Sequence, residues 1–141
     1  EMDHHTEHLH HAPHTRSDLD FKVALTQAAR SAYTGMIRIV GGAGASEAYQ
    51  ENRNLLLSPD ARAESIPELE ILTDDVRCSH GATVAPLDPE QHFYLRSRGL
   101  APGQATRLVV YGFLDQTLRR LPQTTRERIE ALIAERLHSE G

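Results

Sequence analysis

One cysteine stands in the sequence, Cys78, two residues before His80 in the stretch DDVRCSHGAT, Asp74 to Thr83. On an extended strand both side chains leave the same face, with Cα atoms about 6.5 to 7 Å apart. That is too far for a ready thiol–imidazole hydrogen bond, yet close enough for the two groups to converge on one metal or cluster. Thiolate and imidazole both suit zinc, copper and iron–sulfur sites. C-x-H alone has little specificity, and a buried thiol beside a hydrogen-bonded histidine is its simpler reading. A catalytic dyad would need a base from elsewhere in the fold and an oxyanion pocket. His92 and the N-terminal histidines are the candidates, and no spacing brings them to Cys78.

Six of the nine histidines fall within EMDHHTEHLHHAPH, the first fourteen residues. Thr6, Glu7, Leu9 and Pro13 interrupt the run, which continues into patterned sequence, unlike a purification tag. His8 and His10 share a face in an extended chain and are weak metal candidates. A structural zinc site normally has four ligands at recognisable spacing, and no C-x-x-C pair accompanies these two. They carry the alternative reading of a small His-rich metal-dependent enzyme or metal-binding domain. GGAGAS is no phosphate loop, because no Lys-Ser/Thr follows it.

These residues need elements to position them, and 141 residues suffice for one modest core. At 39% hydrophobic and 25% charged the chain is globular in composition. A net charge of −5, scattered basic residues and no Trp argue against nucleic acid as a partner. No apolar run approaches the length of a membrane span, and a lone cysteine suits a reducing, cytoplasmic setting. The chain opens on Glu1 rather than Met, as a piece of a larger protein would.

From Leu9 to Leu95, period-two pieces alternate with turns rich in Gly, Pro, Asp and Ser. They are LDFKVALT with Phe21, Val23 and Leu25; GMIRIV with Ile37 and Ile39; NRNLLLS with Leu55 and Leu57; LEIL with Leu69 and Ile71; and FYLRS with Phe93 and Leu95. Their inward residues recur after 16, 18 and 14 positions, from Phe21 through Ile37 and Leu55 to Leu69. Stacked coils and a β-sandwich both fit that spacing. TQAARSAY, Thr26 to Tyr33, reads as a turn of helix or a strand of small residues. The β region is expected over 1–99 and a helical region over 100–141. In the latter, Pro102, Ala105, Leu108, Val109, Gly112, Phe113 and Leu121 fall at helical spacing. After Pro122, Thr124 and Glu127 have the spacing of a capping box, and Ile129, Leu132, Ile133 and Leu137 form a second stripe.

Taken together, HTRSDLDFK, YTGMIRIV, NLLLS, P-x-LEI, DDV-x-CSHGAT and FYL-x-SRG resemble the SufB/SufD family of iron–sulfur cluster assembly proteins, over about His5 to Leu121. CSHGAT draws the resemblance towards SufD, since SufB proteins tend to carry a Glu-rich HEAT version there. The resemblance implies a mainly β fold: the C-terminal coils of a right-handed parallel β-helix, followed by two C-terminal α-helices. It implies a non-enzymatic scaffold subunit that pairs with a SufB-like protein and docks a SufC-like ABC-type ATPase. His80 matches the family histidine at the cluster-assembly interface, with Cys78 as its neighbour. The helix holding Pro102, Ala105, Leu108, Val109, Gly112 and Phe113 matches the part that meets the ATPase. No cofactor is expected to be held stably; a transient iron–sulfur cluster or iron is expected at the partner interface. Ala85-Pro86 departs from the glycine and further residue common in relatives, which alters the turn after His80. A truncated β-helix would also expose an unpaired end, so homo-oligomers are expected in isolation.

Overall fold

Alternation decides the first unit. The computed structural model describes residues 1–139, in which the chain forms two compact units, Glu1–Pro86 and Leu87 onward. Six strands make up the first: β1 (Met2–His10), β2 (Arg16–Leu25), β3 (Arg30–Ile39), β4 (Ser46–Leu56), β5 (Arg62–Ile71) and β6 (Val76–Pro86). Odd strands pair in one three-stranded sheet, β1-β3-β5, and even strands in another, β2-β4-β6. Every pairing is parallel. An antiparallel sandwich is thereby ruled out for this unit. The two sheets remain separate rather than closing on one another.

Registers explain the recurrence seen in the sequence. His8 pairs with Ile37 and Ile37 with Leu69, so a strand returns to its own sheet after 29 and then 32 residues. In the second sheet Ala24, Leu55 and Ala85 align, returns of 31 and 30. The 14-to-18-residue recurrence is therefore the step from one sheet to the other. Tight corners make that step. His14, Gln27 and Ala45 adopt positive φ, as does Gly42. The corners also stack, with His14 N–H donating to Gly44 O (3.0 Å) and Ala45 N–H to Asp75 O (2.6 Å). Thr26–Ala29 is one such corner, so TQAARSAY is a turn that runs into β3.

The inward rows of the two sheets meet in a small core. On β3, Ser31, Tyr33, Gly35, Ile37 and Ile39 are buried and the residues between them are half-buried. Ile37 and Ile39 cluster with Ala43 and Ala48. Burying an isoleucine is worth about 1.5 to 3 kcal/mol. On β4 the inward row is Ser46, Ala48, Gln50, Asn52 and Asn54, all buried, rather than a row built on Leu55 and Leu57. Leu55 is buried nonetheless. The polar members are held internally: Gln50 Nε2 donates to Gly35 O (3.2 Å), Asn52 Nδ2 to Phe21 O (3.3 Å) and Asn54 Nδ2 to Asn52 Oδ1 (2.8 Å). Cross-strand charge ladders line other positions, as in Arg16–Glu47–Arg77 and Glu7–Arg38–Glu70. Such exposed pairs contribute about 0 to 1 kcal/mol each.

Three helices form the second unit: α1 (Pro89–Ser97), α2 (Pro102–Leu118) and α3 (Gln123–Ser139). The strand expected at Phe93–Leu95 is thus corrected to a helix. Its start is written in PLDPE: the Asp88 carboxylate accepts from Glu90 N–H (2.9 Å), and Pro89 takes the first helical position. α2 opens at Pro102 as expected, with Gln104 Oε1 accepting from Ala101 N–H (2.9 Å). α3 begins one residue before Thr124, so Thr124 lies inside the first turn rather than capping it. There the Gln123 side chain donates to Glu127 Oε1 (2.9 Å). Arg126 ties α3 to α2 through Asp115 (2.8 Å) while also holding Glu130 (2.7 Å).

Gly35 is where the interior is tightest. A Cβ there would collide with Gln50 Nε2 and lie 2.6 Å from the Tyr33 hydroxyl. Gly35→Ala is expected to cost about 1 to 3 kcal/mol in urea unfolding, as overpacking does. A loss below about half a kcal/mol, the size of an ordinary surface substitution, would contradict this packing.

Candidate functional site

CSHGAT lies on β6, the last strand of its sheet. Cys78 stands opposite Ala48, and His80 opposite Gln50. Both therefore continue the inward row of β4, one strand further on. They share a face, as the two-residue spacing predicts, but their surroundings differ. Cys78 is half-buried and packs against the Ile37, Ile39, Ala43 and Ala48 cluster. Burial pushes its thiol above the ordinary value. His80 is exposed, and its ring makes no hydrogen bond among the described residues. An imidazole in that setting offers a lone pair to an incoming group.

Around these residues the inward rows of β5 and β6 are incompletely covered. Leu69 is 40% exposed, Ile71 39% and Val84 46%. Their register partners on the middle strands, Ile37, Ile39 and Asn54, are 0%, 0% and 3% exposed. The difference is positional. β3 and β4 have a strand on either side, whereas β5 and β6 each have one neighbour in their sheet.

Histidines of β1 alternate along the opposite edge of the first sheet. His4, Thr6, His8 and His10 form its more buried row, with His5 and Glu7 exposed between them. His4 packs on Phe21, which stacks on Tyr33, whose hydroxyl meets Thr6 Oγ1 at 2.8 Å. His10 is 4% exposed, with Nδ1 2.6 Å from Thr15 Oγ1 and Nε2 2.8 Å from Ser17 Oγ. Both of its nitrogens are thus engaged by hydroxyls. No group of three or more His, Cys, Asp or Glu converges on a cation position among the described residues. His92 serves the helical unit, where its Nε2 donates to Pro102 O (3.2 Å) and touches Thr106 Oγ1 (3.3 Å).

Of the α2 residues singled out in the sequence, Ala105 is buried. Val109 and Phe113 are half-buried, while Pro102, Leu108 and Gly112 are exposed. The buried positions of α2 also include Val110 and Leu118, which the stripe did not contain. Gln50, Asn52 and Asn54 were likewise missed. Their signal was period-two polarity in YQENRN, where one polar row faces in.

Parallel strands alternating between two sheets, a polar interior row, and a helical unit after the last strand define a mainly β protein with parallel sheets followed by helices. The SUF system FeS cluster assembly, SufBD core domain matches residues 1–113. The chain belongs to the SufB/SufD family, and its resemblance lies on the SufD side. It is 37% identical over 119 residues to the iron–sulfur cluster assembly protein SufD of Escherichia coli K12, covering 82% of this chain and 28% of that protein. The Bacillus subtilis SufD is 43% identical over 98 residues, 70% of this chain and 22% of its own length. An iron–sulfur cluster assembly SufBD family protein of Synechocystis is 39% identical over 119 residues, 84% and 26% respectively. The chain spans about a quarter of the length of these relatives. No helix among the described residues is long and apolar enough to cross a membrane.

His10 gives the unit a pH dependence of known sign. Burial, and then the neighbouring His8, hold its pKa below the ordinary 6.5. The unfolded chain therefore binds more protons just below pH 6.5, and stability falls as pH drops from there towards the folded value. Urea midpoints measured between pH 8 and 5 are expected to fall in that window. His10→Gln is expected to flatten the fall; an unchanged slope in that variant would assign the effect elsewhere.

Proposed function

We propose that this chain is the C-terminal portion of a SufD-like scaffold subunit for iron–sulfur cluster assembly. The role is non-enzymatic: the protein holds partners while iron or a cluster, as cargo, passes through their interface. The family membership supports this role. In this reading the two sheets are the last coils of a right-handed parallel β-helix. The strict alternation of strands between the sheets, with a return every 29 to 32 residues, supports it.

The observation that carries the proposal is the position of His80. It is an exposed imidazole whose ring has no hydrogen bond among the described residues, on the last strand of a sheet whose edge row, like that of β5, is incompletely covered. A SufB-like protein seated on the β5 and β6 edges would cover Leu69, Ile71 and Val84 and bring its own ligands to His80. Cys78, half-buried and packed against the Ile37 and Ile39 cluster, has the lesser part. Iron or a cluster would be held there transiently, shared with the partner. The same edges would support self-association when the partner is missing.

A SufC-like ABC-type ATPase is assigned to α2. Leu108, Gly112 and Pro102 are its exposed candidates, while the buried Ala105 supports the helix from within. The setting implied by the family and the lone thiol is the cytoplasm.

Reconstitution with a SufB-like and a SufC-like protein tests the assignment. His80→Ala is expected to lower cluster assembly at least tenfold while the complex still forms, and Cys78→Ser to change it less than threefold. Full assembly by His80→Ala would overturn the role of His80. Leu108→Glu is expected to weaken ATPase binding at least tenfold, and full-strength binding after removal of residues 102–141 would overturn the docking assignment.

A further inference from the structure

Gln50 is 1% exposed, yet only half of its carboxamide is used. Nε2 donates to Gly35 O across the gap between the sheets, an approach that the missing Cβ of Gly35 makes possible. A carbonyl only accepts, so this bond fixes the amide: the NH2 faces Gly35 and Oε1 faces elsewhere. Oε1 is buried and has no partner among the described residues. Buried acceptors are nearly always satisfied, so this one calls for a donor.

The register names the candidate. Gln50 stands between Leu19 on β2 and His80 on β6. Leu19 has no side-chain donor. The His80 ring carries an N–H in either tautomer and is not otherwise hydrogen-bonded among the described residues. Paired strands lie about 4.8 Å apart, and opposed side chains on one face stand side by side. The ε atoms of glutamine and histidine also extend to similar depth from Cβ. His80 is exposed, so its ring is free to turn towards the Gln50 amide.

We propose that Gln50 is a positioning residue for His80: Gln50 Oε1 accepts from His80 Nε2–H, which fixes the tautomer and leaves the Nδ1 lone pair for incoming iron or a cluster. The inference rests on the assignment of His80 to the assembly interface and adds what would hold its ring. An amide suits this task better than a carboxylate. A negative charge beside the ring would favour imidazolium, which has no lone pair to give.

The test is NMR of the uniformly 15N-labelled chain near pH 8, without partners. The wild-type chain is expected to show a His80 Nε2–H proton slowed in solvent exchange at least tenfold, with a nuclear Overhauser contact to the Gln50 side chain. Gln50→Met is expected to lose the slowed proton, and Gln50→Glu, which keeps an acceptor, to retain it. A rapidly exchanging His80 N–H in the wild-type chain overturns the proposal, whether or not Gln50→Met folds. So does a slowed proton that survives in folded Gln50→Met. The readout is separate from assembly. If His80→Ala assembles clusters normally, the interface assignment fails even where the hydrogen bond exists. If the bond is absent but His80→Ala is inactive, only the role of Gln50 fails.

Discussion

Every inward side chain of the first unit must be covered from two directions, by the opposite sheet and by the strands beside it. That constraint orders the rest of the structure. The middle strands satisfy it, and Tyr33, Ile37, Ile39, Gln50 and Asn52 are all nearly or wholly buried. β5 and β6 have a neighbour on one side only, so the same inward row becomes a surface. The exposure of His80 and the partial burial of Cys78 follow from where β6 falls in the stack.

A parallel body of this kind also tolerates polar residues inside, provided each finds a partner. Side chains in one row sit at regular spacing and can hydrogen-bond to the opposite sheet or along the row, as Gln50, Asn52 and Asn54 do. The hydroxyls around His10 do the same at a corner, where Thr15 Oγ1 also meets Ser46 Oγ at 2.9 Å. Of these, the Gln50–Gly35 and His10 contacts cross from one sheet to the other, while those of Asn52 and Asn54 tie residues within the second sheet. They also leave particular atoms without partners, and such atoms point to where another group belongs.

Much of this was legible in the sequence. Period two in FKVAL, GMIRI and LEIL marks strands, and CSHGAT with its flanking motifs points to the family from sequence alone. The recurrence of inward pairs reported the step from one sheet to the other, because spacing does not reveal which of two sheets a strand joins. FYLRS was misread because three apolar residues in a short window suit a helix as well as a strand. The Asp88-Pro89 pair was the better signal there. The inward facing of Gln50 had a signal in YQENRN, but its neighbours did not, since they are a register partner 30 residues away and a glycine on the other sheet.

In the proposed function the last strand of the β body, with His80 on it, is the surface a second protein covers. Amide hydrogen exchange along the chain, with and without a SufB-like partner, tests this most directly. The account predicts strong protection on binding over residues 76–86 and 62–71, with little change on β1 and β2. Protection confined to β1 and β2, or no change on β6 in a complex that has formed, would contradict it.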